Sequence, residues 1–160
     1  MFSKETYIQR RQALKKVISS GLILILGNNE SPANGPYNNY TYRQDSCFLY
    51  FFGAKRDGLA GIIDVDNDRE YLLGDDIDIN DIIWYGSVES IAEMGEAVGI
   101  DHSGTFSELK LLIEGALNEN RIIHFLPPYR YDNQILLQDL LNISTHDLQN
   151  KASMLLSFYV

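Results

Sequence analysis

A chain of 160 residues, of which 45% are hydrophobic, has the size and apolar content of one folded domain and is not an intrinsically disordered protein. Its 13 basic and 22 acidic residues give a formal net charge of −9, which disfavours nucleic acid and anionic membranes as partners. The longest strongly apolar run is residues 22–26, far too short to span a bilayer.

The N-terminal part of the chain predicts a helix, a buried strand and a loop. Apolar residues recur at roughly helical spacing over residues 4–19, and Gly21 ends this amphipathic helix. The continuous apolar run 22–26 is typical of a strand in the centre of a sheet. Residues 27–39 are rich in Gly, Asn, Ser and Pro, so they predict a loop.

A β-hairpin is predicted after the aromatic segment 40–52. Its strands are residues 59–65 and 69–73, and the connecting Asp-Asn-Asp sequence is typical of a hairpin turn. The C-terminal half then alternates helices with one strand. Helices are predicted over residues 88–98, 106–117, 132–141 and 146–156.

The helix over 106–117 is expected to begin with Thr105 as its N-cap and Glu108 three residues later, the pattern of a capping box. The predicted strand, residues 121–126, is stopped by two prolines. Alternating helices and strands with one clear hairpin indicate an α/β domain, in which helices cover a mixed sheet. Because there is no repeat and no linker, the whole of residues 1–160 is expected to form one domain.

No catalytic or metal-binding constellation is apparent. His102, His124 and His146 are not spaced to meet on one helix, so no metal site is expected from them. Asp64, Asp66 and Asp68 have the spacing of the ligands in a calcium-binding loop. Arg69, however, occupies the position at which such a loop needs glycine. We interpret this segment as a solvated hairpin turn.

Cys47 is the only cysteine, which excludes an internal disulfide and is typical of a reducing compartment. No pattern marks it as a nucleophile, so a half-buried thiol is expected. The N-terminus lacks the apolar core of a signal peptide. These features together predict a cytoplasmic protein.

Residues 40–53 are the most unusual segment, with six aromatic residues in 14. One interpretation is a packed aromatic core in which Arg43 is held by paired hydrogen bonds and aromatic stacking, because an unpaired arginine is costly to bury. The other interpretation is one wall of a binding site. On physical grounds alone, the packed aromatic core is the favoured interpretation.

This segment resembles the signature of the N-terminal domain of Xaa-Pro aminopeptidases (aminopeptidase P). The resemblance rests on Tyr42, Arg43, Gln44, Asp45, Ser46, Phe48, Tyr50, Phe51 and Gly53. Shorter matches follow in the family's order at residues 11–14, 83–86, 99–101 and 106–109. Cys47 and the segment 55–57 depart from the pattern, so prolidases and creatinases, which share the architecture, remain alternatives.

The resemblance implies the creatinase/aminopeptidase N-terminal fold, a mixed six-stranded sheet with flanking helices and ribonuclease-H-like character. It implies that a parent enzyme releases the N-terminal residue of peptides with proline in the second position. In the family, two metal ions, commonly manganese, lie in a separate C-terminal "pita-bread" domain. That domain is absent from this chain, and no catalytic or metal-binding residue can be carried over onto it. The apolar ending 158–160 suggests a longer parent.

The chain is therefore expected to be a non-catalytic domain that governs substrate access and oligomerisation, with its own catalytic domain as partner in a homo-oligomer. Trp84, the only tryptophan, matches a family motif that faces the catalytic pocket, which implies a role in lining that pocket; the alternative is a core residue. A different function is also open. The same fold occurs in a histone chaperone without peptidase activity, and an acidic surface suits basic partners.

Overall fold

The computed structural model describes residues 2–35, 37–76 and 89–152. Seven strands are present in these ranges. They are β1 (Leu22–Leu26), β2 (Pro32–Gly35), β3 (Asn38–Asn39), β4 (Ala60–Asp64), β5 (Arg69–Leu73), β6 (His102–Gly104) and β7 (Ile123–Phe125). Five of them form one sheet in the order β6-β5-β4-β1-β7, and β2 and β3 form a separate two-stranded ribbon. The large sheet is mixed, since β4 is antiparallel to both β1 and β5 whereas β7 and β6 are parallel to their neighbours.

Six helices are described. They are α1 (Lys4–Val17), α2 (Ser46–Phe52), α3 (Ile91–Val98), α4 (Phe106–Asn118), α5 (Tyr131–Leu141) and α6 (Thr145–Lys151). Local chemistry fixes several of their ends. Ser90 and Glu93 form a capping box at the start of α3, and Gly99 ends that helix in the left-handed conformation with φ +76°.

The sheet separates two apolar layers. The side chains of β1 alternate between them, so Ile23 and Ile25 contact one layer and Leu22 and Leu24 the other. The first layer contains the buried residues of α1, α2 and α3, and the second contains those of α4, α5 and α6. Both faces of β1 are therefore buried, which explains why its sequence is apolar throughout.

The predicted α/β class and mixed sheet are confirmed. The predicted hairpin is present as β4 and β5, which pair antiparallel with Asp64 opposite Arg69. The sheet has five strands within the described ranges, whereas the resemblance implies six. Residues 27–39, for which the sequence predicts only a loop, also contain the ribbon of β2 and β3. None of the helices in the described ranges is long and apolar enough to cross a membrane.

Candidate functional site

The signature segment lies where β1 ends, α2 begins and the chain leaves β7. Gln44 is buried there, and both the oxygen and the nitrogen of its side-chain amide make hydrogen bonds. Its Oε1 accepts hydrogen bonds from the backbone N–H groups of Asn28 at 2.6 Å and Asp45 at 2.8 Å. Its Nε2 donates to the carbonyl oxygen of Arg56 at 2.7 Å. Gln44 therefore joins three separate segments of backbone, which is a structural role.

Asp45 connects the signature to the loop after β7. Its Oδ1 accepts from the backbone N–H groups of Cys47 at 2.8 Å and Phe48 at 2.9 Å, which caps the N-terminus of α2. Its Oδ2 accepts from the hydroxyl of Tyr129 at 2.9 Å. Burial raises the pKa of that hydroxyl. Both carboxylate oxygens of Asp45 are thus engaged, so the carboxylate is a poor candidate for a general base.

Tyr42 lies on the other side of this network. Its hydroxyl lies 3.2 Å from the carbonyl oxygen of Asn28 and 3.1 Å from that of Arg56, and can donate its proton to either. Burial raises the pKa of Tyr42 well above its usual value of 10.0. A phenol that stays protonated suits a fixed donor better than an acid–base catalyst.

Arg43 lies at the surface and not in the core, where it was expected. The side chain is exposed, and its guanidinium makes one long hydrogen bond, 3.4 Å from Nη2 to the hydroxyl of Ser46. No aromatic ring stacks on it and no carboxylate pairs with it among the described residues. The expectation of a buried Arg43 in a paired hydrogen-bond fork is therefore wrong. In the segment before α2, Arg43 faces solvent, while its neighbour Gln44 takes the buried position.

Arg11 has the structural role that was expected of Arg43. Its side chain is 0% exposed, and its Nε donates to Oε2 of Glu70 at 2.6 Å. The remaining nitrogens donate to the carbonyl oxygens of Phe51 at 2.9 Å, Val98 at 2.9 Å and Gly99 at 3.1 Å. In the sequence, Arg11 stands out only as part of the family's first helix. No signal of local spacing reveals its partners, since Glu70 is 59 residues away.

Two adjoining clefts open beside the signature. The first, of about 380 Å³, is mostly apolar and lies against β1, β7 and the start of α5; its walls include Leu26, Leu126, Pro127, Pro128 and Leu137. The second, of about 670 Å³, is polar and aromatic, and its walls include Asn29, Tyr40, Tyr42, Arg43 and Arg130. The two share Asp45, Cys47 and Tyr129 as lining residues, so they form one continuous depression.

Cys47 lies at the junction of the clefts and is half-buried, as the sequence predicted. Burial, reinforced by the neighbouring charge of Asp45, raises its thiol pKa to about 11. A thiol with this pKa is almost fully protonated at neutral pH and is a weak nucleophile.

The histidines and aspartates singled out in the sequence do not converge. No group of three or more His, Cys, Asp or Glu residues that could hold a metal ion occurs in the described ranges. His124 Nε2 lies 3.0 Å from the carbonyl oxygen of Ser20, and the ring of His102 packs on Tyr71 with centroids 5.3 Å apart.

The turn between β4 and β5 is more than the solvated turn that was expected. Asp64 is buried and pairs with Arg121, whose Nε also donates to Oδ2 of Asp66 at 2.7 Å. Asn67 adds a hydrogen bond of 2.8 Å from its Nδ2 to Oδ2 of Asp64. One guanidinium therefore attaches the hairpin to the start of β7.

Three further residues carry the family resemblance: Trp84, Phe48 and Gly53. Trp84 lies outside the described residues, so its suggested pocket-lining role stays a prediction. Phe48 and Gly53 have structural positions: Phe48 is fully buried, and Gly53 ends α2 with φ +66°. A side chain at Gly53 would collide with the ring of Tyr7 at 2.5 Å, which explains glycine there.

Comparison with known proteins gives a consistent result. The family model described as aminopeptidase P, N-terminal domain, matches residues 7–124. The chain is 25% identical to Xaa-Pro aminopeptidase of Escherichia coli over 96% of its own length and 36% of that protein's. It is 28% identical to a probable Xaa-Pro aminopeptidase of Talaromyces stipitatus over 76% of its own length and 25% of that protein's.

The fold has a counterpart among solved structures. Aminopeptidase P from E. coli in a low-pH form superposes with a TM-score of 0.72 at 22% identity, over 89% of this chain and 33% of that one. A zinc-substituted E. coli aminopeptidase P in complex with product gives the same TM-score, at 22% identity and over 88% of this chain. This likeness shows a shared fold, and the family match covers most of the sequence. The chain belongs to the aminopeptidase P N-terminal domain family.

Proposed function

We propose that this chain is the non-catalytic N-terminal domain of a metal-dependent Xaa-Pro aminopeptidase, a hydrolase that releases the N-terminal residue before proline. The observation that carries the proposal is the family match over residues 7–124. The chain spans about a third or less of the length of the curated relatives it matches. The activity is accordingly assigned to a longer protein that contains this sequence.

The geometry of the signature supports a structural role for the domain. Gln44 and Asp45 direct their polar atoms to backbone groups and to the hydroxyl of Tyr129. Burial raises the pKa of the Cys47 thiol to about 11, which disfavours the nucleophilic thiolate. Within the described ranges, these side chains hold the end of β1, the start of α2 and the loop after β7 together. They offer neither a general base nor an activated nucleophile.

The metal centre of the proposed enzyme belongs to another domain. Two divalent ions, commonly manganese in the resembled family, need several carboxylate and imidazole ligands. The described residues do not fit such a centre, since no three potential ligands converge. We assign the ions to the catalytic domain, which is also the first expected partner of this one.

The proposal includes substrate access and homo-oligomer formation as roles of the domain. Substrate access rests on Trp84, proposed to line the pocket that receives the proline of the peptide. For oligomer formation, the large apolar side chains that face solvent, including Leu111 at 67% and Ile122 at 59% exposed, are candidate contact residues. The single half-buried Cys47 suits a cytoplasmic enzyme.

The test compares two proteins: this chain alone and the longer protein that contains it. Each is assayed with an Xaa-Pro peptide and with a matched Xaa-Ala peptide, in the presence of manganese. We expect the longer protein to cleave only the Xaa-Pro peptide and this chain to give no turnover above a metal-only blank. Turnover by this chain would refute its non-catalytic role. A longer protein without hydrolytic activity would instead favour a peptidase-like binding module.

A further inference from the structure

The two adjoining clefts have the composition of a binding site for an apolar group attached to an anion. The apolar cleft, about 380 Å³, falls within the size range of ligand sites and is walled by leucine and proline side chains. Its inner wall is part of the core, since Leu24 and Leu137 are only 1% and 2% exposed. An apolar side chain of a ligand would replace water there.

The polar cleft supplies one available cation. Arg43 is exposed and its only hydrogen bond in the described structure is the 3.4 Å contact with Ser46. Its guanidinium therefore keeps most of its five N–H donors available. The fork geometry of guanidinium matches a carboxylate.

The other charged groups of the depression already make hydrogen bonds within the chain. Both oxygens of Asp45 accept hydrogen bonds from the chain. Arg130 donates to Asp132 at 2.9 Å and to the hydroxyl of Ser31 at 2.9 Å. Arg43 is therefore the cation of the depression with which an incoming anion can pair, and the hydrogen bonds that Asp45 accepts hold its carboxylate against the chain.

We propose that the joined clefts bind the C-terminal end of a short peptide, with an apolar residue such as proline in the apolar cleft and the terminal carboxylate on Arg43. The exposed ring of Tyr40 and the ring of Tyr129, 66% and 70% exposed, flank the polar part. Tyrosine rings pack well on proline, whose fixed φ lowers the entropy lost on binding. The inference rests on the proposed function, because it names a peptide as the ligand of a domain that governs substrate access.

The test uses the 160-residue chain and the tripeptide Ala-Ala-Pro, as free acid and as C-terminal amide. Binding is followed by NMR shifts of the side-chain amides of Asn28 and Gln44. A second readout is the rate at which iodoacetamide alkylates Cys47, the only thiol in the chain and part of both cleft walls. We expect saturable shifts with the free acid, and alkylation slowed about tenfold when nine-tenths of the sites are filled.

Two variants separate charge recognition from general charge effects. Arg43→Gln should weaken binding of the free acid about tenfold or more, which is the scale of one charged hydrogen bond, and should leave the amide unaffected. Arg69→Gln removes another exposed arginine, on β5 and outside both clefts, and should change the binding of neither peptide. Circular dichroism would verify that both variants fold.

Three results would overturn the inference: no saturable shift, no protection of Cys47, or equal effects of the two variants. The outcome is independent of the test of the proposed function. Binding to this chain with no hydrolysis by the longer protein would refute the proposed enzyme and leave the peptide site. Hydrolysis without binding would refute the peptide site alone.

Discussion

The guanidinium of Arg11, on α1, donates a 2.6 Å hydrogen bond to the carboxylate of Glu70 on β5. The arginine is fully buried, whereas the glutamate side chain is 14% exposed. Three carbonyl oxygens accept hydrogen bonds from its Nη1 and Nη2, so the charge is paired and each guanidinium nitrogen has a partner. α1 is thereby attached to the sheet, to the end of α2 and to the end of α3 by one side chain.

We expect Arg11→Lys to lower the free energy of unfolding by about 3 kcal/mol, because the ammonium cannot reach all four acceptors and leaves buried carbonyl groups unpaired. Urea denaturation of the chain measures this. Lys16→Gln changes an exposed cation on the same helix and should stay within about 0.5 kcal/mol of the wild type. Equal effects of the two substitutions would contradict the role of Arg11.

Gln44→Ala should cost about 2–3 kcal/mol, since it removes the partners of two backbone N–H groups and one carbonyl in a mostly buried site. The control is its neighbour: Arg43→Lys should change stability by about 0.5 kcal/mol or less, because that side chain is exposed and weakly bonded. If the melting temperature falls more for Arg43→Lys than for Gln44→Ala, the assignment of structural roles within the signature is wrong.

Strong local periodicity explains which elements the sequence could predict. The amphipathic α1, the apolar β1 and the hairpin of β4 and β5 all follow from patterns within a few residues. α2 is not predicted because its sequence, residues 46–52, is apolar on nearly every side and has no helical period. β6 has only three residues, His-Ser-Gly, and its strand state depends on pairing with β5.

The candidate site could be predicted only in part, for a related reason. The resemblance identified the signature residues, but nothing within the segment 42–46 indicates which side chain turns inward. That choice depends on backbone groups distant in the chain, such as Asn28 and Arg56, which Gln44 binds and Arg43 does not. The clefts likewise form between segments about 80 residues apart, as the bond of Asp45 to Tyr129 shows.

Trp84 can be tested in the longer enzyme of the proposed function. If its indole covers the proline ring of the substrate, Trp84→Ala should lower kcat/KM for an Xaa-Pro peptide roughly 10–200-fold while folding is retained. Trp84→Phe keeps an aromatic face and should lose less. A sharp fall in melting temperature with unchanged kcat/KM would identify Trp84 as a core residue instead.

The thiol of Cys47 should react slowly in the folded chain. Burial raises its pKa to about 11 from the usual 9.0, which reduces the thiolate fraction at pH 8 about 100-fold. Alkylation by iodoacetamide should therefore be about 100-fold slower in the native chain than in urea, and its rate should keep rising above pH 9. A plateau of the native rate near pH 9 would show that the thiol is not protected.

The last prediction concerns acid stability and Asp64. Burial alone would raise the pKa of this carboxyl, but the hydrogen bonds from Arg121 and Asn67 outweigh it and hold the pKa below the usual 3.8. In the unfolded chain those bonds are absent, so the carboxylate binds protons more readily there than in the native state. Asp64 therefore stabilises the fold at pH values above 3.8, and this contribution is lost as the pH falls through the lower native pKa.

The measurement is the urea midpoint of the wild type and of Asp64→Asn between neutral pH and pH 2. We expect Asp64→Asn to be less stable at neutral pH, because Arg121 loses its buried partner, and the difference should shrink as the pH falls below 3.8. Asp139→Asn, a substitution of an exposed aspartate on α5, is the matched control and should follow the wild-type curve. A stability difference between wild type and Asp64→Asn that stays constant down to pH 2 would mean that the ion pair with Arg121 does not depress the native pKa of Asp64.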